Sequence, residues 1–96
     1  MSQNKTIWKF RLSLVDDQSI SMPKGAVFLP TGGSVRDEGP MFLWAIVDPE
    51  APSVERGISI RGTGQFFDLK EEDLYILTVR SHGGALVWHI FDRGER

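Results

Sequence analysis

Apolar and polar side chains alternate with a period of two residues along the first patterned segment of the chain. The apolar members are Trp8, Phe10, Leu12 and Leu14, and the residues between them are Lys9, Arg11 and Ser13. Successive side chains of a strand point to opposite faces of a sheet, whereas an α-helix repeats every 3.6 residues. The pattern therefore predicts a half-buried strand that begins at Thr6, with Lys9 and Arg11 on the face opposite Trp8.

Several later segments also have the length and the turn boundaries of strands. A short one, residues 20–22, stops at Pro23 and is predicted near a sheet edge, because proline cannot donate a ladder hydrogen bond. The others cover residues 26–29, Met41–Val47, 58–60, 75–80 and 85–91. Residues 31–40 are rich in glycine and charge and predict an exposed loop or the tip of a long hairpin. No segment has the helical period of a long helix, and residues 70–73 allow at most one helical turn.

The segment Met41–Val47 consists of seven consecutive apolar residues. A run without polar positions indicates a strand that is covered on both faces. We expect the cover to be a second sheet or another subunit. The run is too short for a membrane helix, which needs about 20 apolar residues.

Residues 81–84 join two apolar segments and contain two consecutive glycines, which predicts a β-hairpin. The turn can be centred on residues 82/83 or on residues 83/84. Both registers place the same side chains on one face, because they differ by one residue pair. This predicted core face contains Tyr75, Leu77, Val79, Leu86, Trp88 and Ile90.

These elements predict an all-β fold, either a small antiparallel β-sandwich or a partly open barrel of six to seven short strands. The length of 96 residues allows a single β domain, residues 1–96. A domain of this size buries only roughly 60 to 65% of the surface of its unfolded chain. We therefore expect a homo-oligomer, in which a subunit interface completes the core.

Charge and composition exclude several functional classes. The formal net charge of −2 argues against a DNA or RNA polymer as partner, because such binders usually carry a strong basic surface. The chain has no cysteine, which removes disulfides and thiol chemistry. We see neither a signal peptide nor a membrane span and expect a cytoplasmic protein without membrane contact.

No group of residues has the spacing of a catalytic or metal site. His82 lies in the predicted hairpin turn and His89 in a strand, without a second ligand at metal-binding spacing. Asp48 precedes a proline and is expected to cap a turn through its side chain. We therefore predict no enzyme, no catalytic residue, no metal and no cofactor.

Arg61-Gly62-Thr63-Gly64 is the short segment most suggestive of ligand binding. Glycines let a backbone approach a phosphate closely, Thr63 offers a hydroxyl, and Arg61 can pair with the charge. The segment is neither a P-loop nor a dinucleotide-binding motif, and it can equally be a glycine bend between two strands. Arg56 and Arg61 can likewise be charges on a solvated strand edge.

Lys9 and Arg11 allow two interpretations. They line an anion site if another subunit covers their face, and they confer solubility if water covers it. Trp8, Trp44 and Trp88 are expected mainly to fill the core, although one of them can stack on a nucleic-acid base.

Four segments of the sequence resemble a family of small, largely uncharacterised proteins found mainly in bacteriophage genomes. They are residues 7–12 (IWKFRL), 22–26 (MPKGA), 43–49 (LWAIVDP) and 62–64 (GTG), with a looser similarity in residues 83–89. The chain is also similar to small β-rich phage proteins that act as anti-CBASS sponges. The 31–40 loop is not part of the pattern, so a partner contact there would be particular to this protein.

The resemblance implies anti-defence activity, in which cyclic nucleotide signals are captured without turnover at pockets between subunits. The expected ligand is a small nucleotide such as a cyclic dinucleotide, in the bacterial host cytosol. The expected ligand-binding residues are Trp8, Lys9, Arg11, Trp44, Arg56, Arg61, Gly62, Thr63 and Gly64. The alternative is a protein-interaction module that occludes a host protein through a sheet edge or the 31–40 loop.

Overall fold

A computed structural model of the protein describes residues 4–30 and 41–96, and the predicted 31–40 loop lies outside them. The described residues form seven strands, β1 to β7, and a short 3₁₀ turn at His82–Gly84, without an α-helix. In chain order the strands are Thr6–Leu12, Asp17–Pro23, Val27–Phe28, Met41–Val47, Ser53–Gly62, Leu74–Ser81 and Leu86–Glu95. The all-β prediction is confirmed.

The strands form two antiparallel sheets. A three-stranded sheet has the order β1-β4-β3, and a four-stranded sheet has the order β2-β5-β7-β6. Both sheets are open, so the fold is the predicted sandwich and not a closed barrel. β2 lies at a sheet edge, as the proline at its end predicted.

The core lies between the two sheets. Leu43 from β4 and Ile58 and Ile90 from the four-stranded sheet are fully buried, and a smaller apolar cluster surrounds Met22 and Val47. Alternate residues of β1, β4, β5 and β7 meet there, because every second side chain points inward. The opposite side chains of both sheets face away from the core.

β4 is covered on only one face by the described residues. Met41, Leu43, Ala45 and Val47 are buried, whereas the alternating residues between them are half-buried or exposed. Of the two kinds of cover expected for this strand, the four-stranded sheet supplies one, and it packs against one face only. Cover by another subunit stays a prediction.

The hairpin of β6 and β7 has the register centred on residues 83/84, with Ser81 opposite Leu86. A bulge lies between Tyr75 and Leu77, so Tyr75 pairs with Phe91 while Leu77 pairs with Ile90. The extra residue in β6 reverses the direction of the side chains before it. Tyr75 therefore lies outside the core and is 59% exposed, which corrects the prediction that it shares the core face.

Two turns explain where neighbouring strands begin and end. Ser13 exchanges hydrogen bonds with the Gln18 side chain, at 3.0 and 2.7 Å, which closes the turn after β1. Asp48 accepts a hydrogen bond from the Glu50 amide at 3.0 Å, so its predicted capping role is confirmed. β5 extends from Ser53 and is much longer than the predicted 58–60 strand.

Candidate ligand-binding surface

The register of β1 and β4 places three of the predicted binding residues on one surface. Lys9 lies opposite Trp44, and Arg11 lies opposite Phe42. Directly paired residues of an antiparallel ladder share a face. We call this surface, directed away from the core, the outer face, and its residues are Ile7, Lys9, Arg11, Val27, Phe42, Trp44 and Ile46.

The outer face combines aromatic rings with unpaired positive charges. Lys9 Nζ lies 4.6 Å from the centre of the Phe42 ring, and the Phe42 and Trp44 rings are 6.4 Å apart in a tilted arrangement. Lys9 and Arg11 are exposed and form no ion pair with a carboxylate of residues 4–30 or 41–96. Both cations are therefore available to an anion within the described part of the chain.

Trp8 lies on the other side of β1, opposite Ala45. Its ring is 6.4 Å from that of Phe10, and the residue is 41% exposed because β1 is an edge strand. Trp88 is half-buried and packs against the core, as expected of the tryptophans, whereas Trp8 and the half-buried Trp44 do not fill it. Trp8 and Trp44 cannot stack on a ligand from the same side of the sheet.

Arg56 is engaged inside the protein. Its guanidinium donates two hydrogen bonds to the Asp92 carboxylate, at 2.9 and 2.6 Å, and a third to the Ala26 carbonyl at 2.9 Å. The hydrogen bonds that Arg56 donates to Asp92 hold the Arg56 pKa above its ordinary value, against the opposing effect of burial. The pair is held at the end of the sandwich and joins β5 to β7.

A cleft opens beside this ion pair, with a volume of about 310 Å³. Apolar side chains of β3 and of the start of β6 form most of its wall, including Phe28 and Ile76. The Arg56 guanidinium lies 5.2 Å from the Phe28 ring centre. The cleft suits an apolar group better than a phosphate, because the carboxylate of Asp92 already neutralises its arginine.

Arg61 is likewise engaged. It donates hydrogen bonds to the Asp16 carbonyl at 2.7 Å and to the Asp17 carboxylate at 3.1 Å, and its guanidinium lies 5.3 Å from the Phe67 ring centre. A hydrogen bond from Ser59 lowers the pKa of Asp17, and the charges of Arg61 and Arg93 add to this effect. Arg61 thus ties β5 to the turn before β2.

The Gly62-Thr63-Gly64 segment forms a bend whose polar groups bind within the chain. The Gly62 amide donates to the Gln65 side chain at 3.0 Å, and the Thr63 amide donates to the Val87 carbonyl at 3.2 Å. The Thr63 hydroxyl lies 2.7 Å from Nε2 of His89. A phosphate here would have to displace these partners.

His89 belongs to a polar network on the outside of the four-stranded sheet. Its Nδ1 lies 3.1 Å from the Thr78 hydroxyl, which lies 2.5 Å from the Tyr75 hydroxyl. Both ring nitrogens of His89 therefore have hydroxyl partners, which fits the predicted role on a sheet surface. The described residues contain no metal-binding group of carboxylates and histidines. They also contain no helix long and apolar enough to cross a membrane.

Sequence reasoning missed two kinds of residue. The first kind is the carboxylates that pair with the predicted arginines, Asp92 with Arg56 and Asp17 with Arg61. They lie on strands distant in sequence, so no local pattern indicates the pairing. The second kind is Phe42, whose ring lies under the Lys9 ammonium. It belongs to an uninterrupted apolar run, in which no polar position indicates which face of the strand is exposed. The period of two places Phe42 on the outer face only after the structure shows that the alternate residues of β4 are buried.

Comparison with known families gives one match, whereas no curated protein and no solved structure matches the chain. The match is to a domain of unknown function, DUF7352, and covers residues 3–96. The chain therefore belongs to the DUF7352 family.

Proposed function

We propose that the protein is a non-enzymatic binding protein that captures a small nucleotide on the outer face of its three-stranded sheet. The observation that carries the proposal is the position of Lys9 directly opposite Trp44, with Arg11 two residues farther along the same strand. An aromatic surface beside two free cations is suited to a molecule that contains both a base and a phosphate.

Each outer-face residue has a chemical role in this proposal. Trp44 stacks on the base, and such stacking contributes about 1 to 3 kcal/mol per base. Lys9 and Arg11 lie two positions apart on the strand, about 7 Å, so they can contact one phosphate or two neighbouring ones. Phe42 holds the Lys9 ammonium by a cation–π contact and keeps it over the sheet.

The other predicted contacts support the sandwich rather than the ligand in this proposal. Arg56 and Arg61 each have a carboxylate partner, at 2.6 and 3.1 Å respectively. A phosphate that bound either arginine would compete with the carboxylate that already holds it. We therefore assign phosphate binding to Lys9 and Arg11 and structural roles to Arg56 and Arg61.

The resemblance to phage sponge proteins supplies the biological setting of the proposal. In that setting the captured nucleotide is a cyclic dinucleotide or a related immune signal in the cytosol of a bacterial host. Capture lowers the free concentration of the signal and requires no turnover. None of the outer-face side chains has to act as nucleophile or general base.

The test uses purified protein and a panel of cyclic dinucleotides and trinucleotides. Melting temperatures are measured with each nucleotide, and the ligand is then released by denaturation and identified by chromatography. We expect at least one nucleotide to raise the melting temperature and to be recovered intact. Degraded nucleotide would indicate an enzyme, and the absence of any shift would refute the proposal.

A pair of double variants locates the site. Lys9→Met with Arg11→Met should abolish the nucleotide-induced shift, because both phosphate contacts are removed. The matched control is Lys24→Met with Arg80→Met, which removes two exposed cations elsewhere on the protein and should preserve the shift. Equal losses in both variants would indicate nonspecific attraction and refute the assignment.

The alternative is a protein-interaction module. β1 is an edge strand with Ile7 55% exposed, and an exposed edge allows strand addition by another polypeptide. Ile7→Pro should abolish such binding while the nucleotide-induced shift, if present, is retained. This alternative is favoured if no nucleotide stabilises the protein.

A further inference from the structure

The loop between β5 and β6, residues 63–73, exposes large apolar side chains. Phe66 is 99% exposed and Leu69 is 60% exposed. Leu74 and Tyr75, which follow the loop at the start of β6, are also exposed. Several large apolar side chains exposed within one short stretch of chain often mark a contact site.

The exposure of Phe66 follows from how its neighbours are anchored. The adjacent Phe67 packs on Phe91 with ring centres 5.7 Å apart. At the end of the loop the buried Asp73 carboxylate binds Arg93 at 3.2 Å and accepts a hydrogen bond from the Lys70 amide at 2.9 Å. Because the residues on both sides are held against the four-stranded sheet, Phe66 is directed into solvent.

The loop is also acidic. Between residues 63 and 73 it carries four carboxylates and one lysine. Asp68 pairs with that lysine, and Asp73 pairs with Arg93. Glu71 and Glu72 are exposed and form no ion pair with the described residues. The loop therefore presents apolar side chains together with two uncompensated negative charges.

The outer face of the three-stranded sheet has the complementary properties. Ile7 and Val27 are 55% and 59% exposed, and Lys9 and Arg11 are the free cations of that face. Each of the two surfaces is apolar, and their charges are opposite. The loop packs on the outside of the four-stranded sheet, so it cannot reach the outer face of its own chain.

We propose that the 63–73 loop of one copy docks on the outer face of a second copy of this chain. Phe66 and Leu69 cover the apolar part of the face, and Glu71 and Glu72 approach Lys9 and Arg11. Each copy offers one loop and one face, so the contact is heterologous. Contacts of this type form closed rings or open chains rather than a dimer with one symmetric interface.

The loop also has the chemistry of the proposed ligand. A phenyl ring next to carboxylates presents a flat apolar surface and negative charge, as a base and its phosphate do. The nucleotide and the loop therefore compete for Lys9 and Arg11, and nucleotide binding weakens the assembly by the same factor as assembly weakens nucleotide binding. The competition rests on the proposed function, whereas the assembly does not.

The assembly is tested by mixing two variants that each lack one of the two surfaces. Phe66→Ser removes the exposed ring, and Lys9→Glu with Arg11→Glu reverses the charge of the outer face. All three side chains are exposed, so both variants should fold like the wild type. Molar mass is measured by light scattering without nucleotide.

We expect the wild type to assemble and each variant alone to be monomeric. The mixture should form a complex of one copy of each, because the loop of the charge-reversed variant can dock on the intact face of the Phe66→Ser variant. A wild type that is monomeric at its highest soluble concentration, or a mixture that stays monomeric, would overturn the proposal. A stable oligomer of either variant alone would assign the interface to another surface.

A nucleotide that stabilises the Phe66→Ser variant should then dissociate the mixed complex. If it binds and leaves the complex intact, the competition is refuted and the assembly stands. If no nucleotide binds any variant, the competition fails together with the proposed function, and the mixed complex alone decides the assembly. As a control, Lys24→Met with Arg80→Met should assemble like the wild type.

Discussion

Two pairs of basic residues in this protein differ in burial and in ion pairing. Arg56 and Arg61 lie on β5, are largely buried and are held by Asp92 and Asp17. Lys9 and Arg11 lie on β1, are exposed and have no carboxylate partner among the described residues. The difference shows that the number of basic residues near a motif says little about binding. What matters is whether a carboxylate reaches each of them.

The distance along the chain explains why the two pairs differ in how well they can be predicted. Asp92 lies 36 residues from Arg56, and the Arg61 partner Asp17 lies 44 residues from it. Such pairs form only when a particular strand order brings them together. Lys9 and Arg11 belong to one local pattern, and the face they occupy follows from the period of two.

The largest effect is expected when the buried arginine on β5 loses its partner. Asp92→Ala removes the bidentate hydrogen bonds to Arg56 and the acceptor of the Gly94 amide. The variant leaves the Arg56 guanidinium with the more distant Glu95 carboxylate, at 3.8 Å, as its remaining ion-pair partner among the described residues. Breaking a buried ion pair in this way costs about 3 kcal/mol of unfolding free energy. Denaturant unfolding of the variant measures this loss.

A double variant separates the cost of the unpaired Arg56 charge from the cost of lost side-chain packing. Arg56→Met combined with Asp92→Leu removes both charges from the pair, whose side chains are 11% and 10% exposed. It should be clearly more stable than Asp92→Ala alone, because no isolated charge stays buried. An Asp92→Ala variant as stable as the wild type would show that Arg56 is as free as Lys9 and Arg11.

A smaller and pH-dependent effect is expected at Asp17. The hydrogen bond from Ser59, reinforced by Arg61 and Arg93, lowers the pKa of Asp17 in the folded protein. A lowered folded-state pKa means that the ionised carboxylate stabilises the fold above the unfolded-state pKa. That contribution is lost as the pH falls through the folded-state pKa.

Asp17→Asn should therefore lower the unfolding free energy by about 1 kcal/mol at neutral pH, since the charge-assisted hydrogen bonds are weakened. The difference from the wild type should begin to shrink below about pH 4, where Asp17 of the unfolded chain takes up a proton, and should disappear as the pH falls through the lowered folded-state pKa. Unfolding curves at several pH values test this, with the exposed Glu50→Gln as control. A difference that is constant with pH would rule out a role for the Asp17 charge.

The sequence predicts the strands far better than it predicts how their side chains pair. The alternation around Trp8 and the glycines at 83/84 identify β1 and the hairpin, because both signals are local, but the sequence leaves two registers open for the hairpin. The bulge before Leu77 and the length of β5 depend on neighbouring strands and have no local signal. For the site, the period of two places Lys9 and Arg11, whereas Phe42 requires knowledge of which face of β4 is buried.

The smallest effect on stability is expected on the outer face, and it decides the function. Lys9→Met with Arg11→Met removes two exposed charges that form no ion pair among the described residues. At a protein concentration at which the copies are dissociated, the unfolding free energy should therefore change by no more than about 0.5 kcal/mol. The same variant should lose nucleotide-induced stabilisation completely. Loss of nucleotide binding with unchanged stability identifies a cation that binds the ligand. Asp92→Ala should show the reverse, a loss of stability without a specific loss of nucleotide binding, because Arg56 has a structural role. If the Lys9 and Arg11 variant instead unfolds as easily as Asp92→Ala, these residues support the sheet, and the contrast between the two pairs of cations disappears.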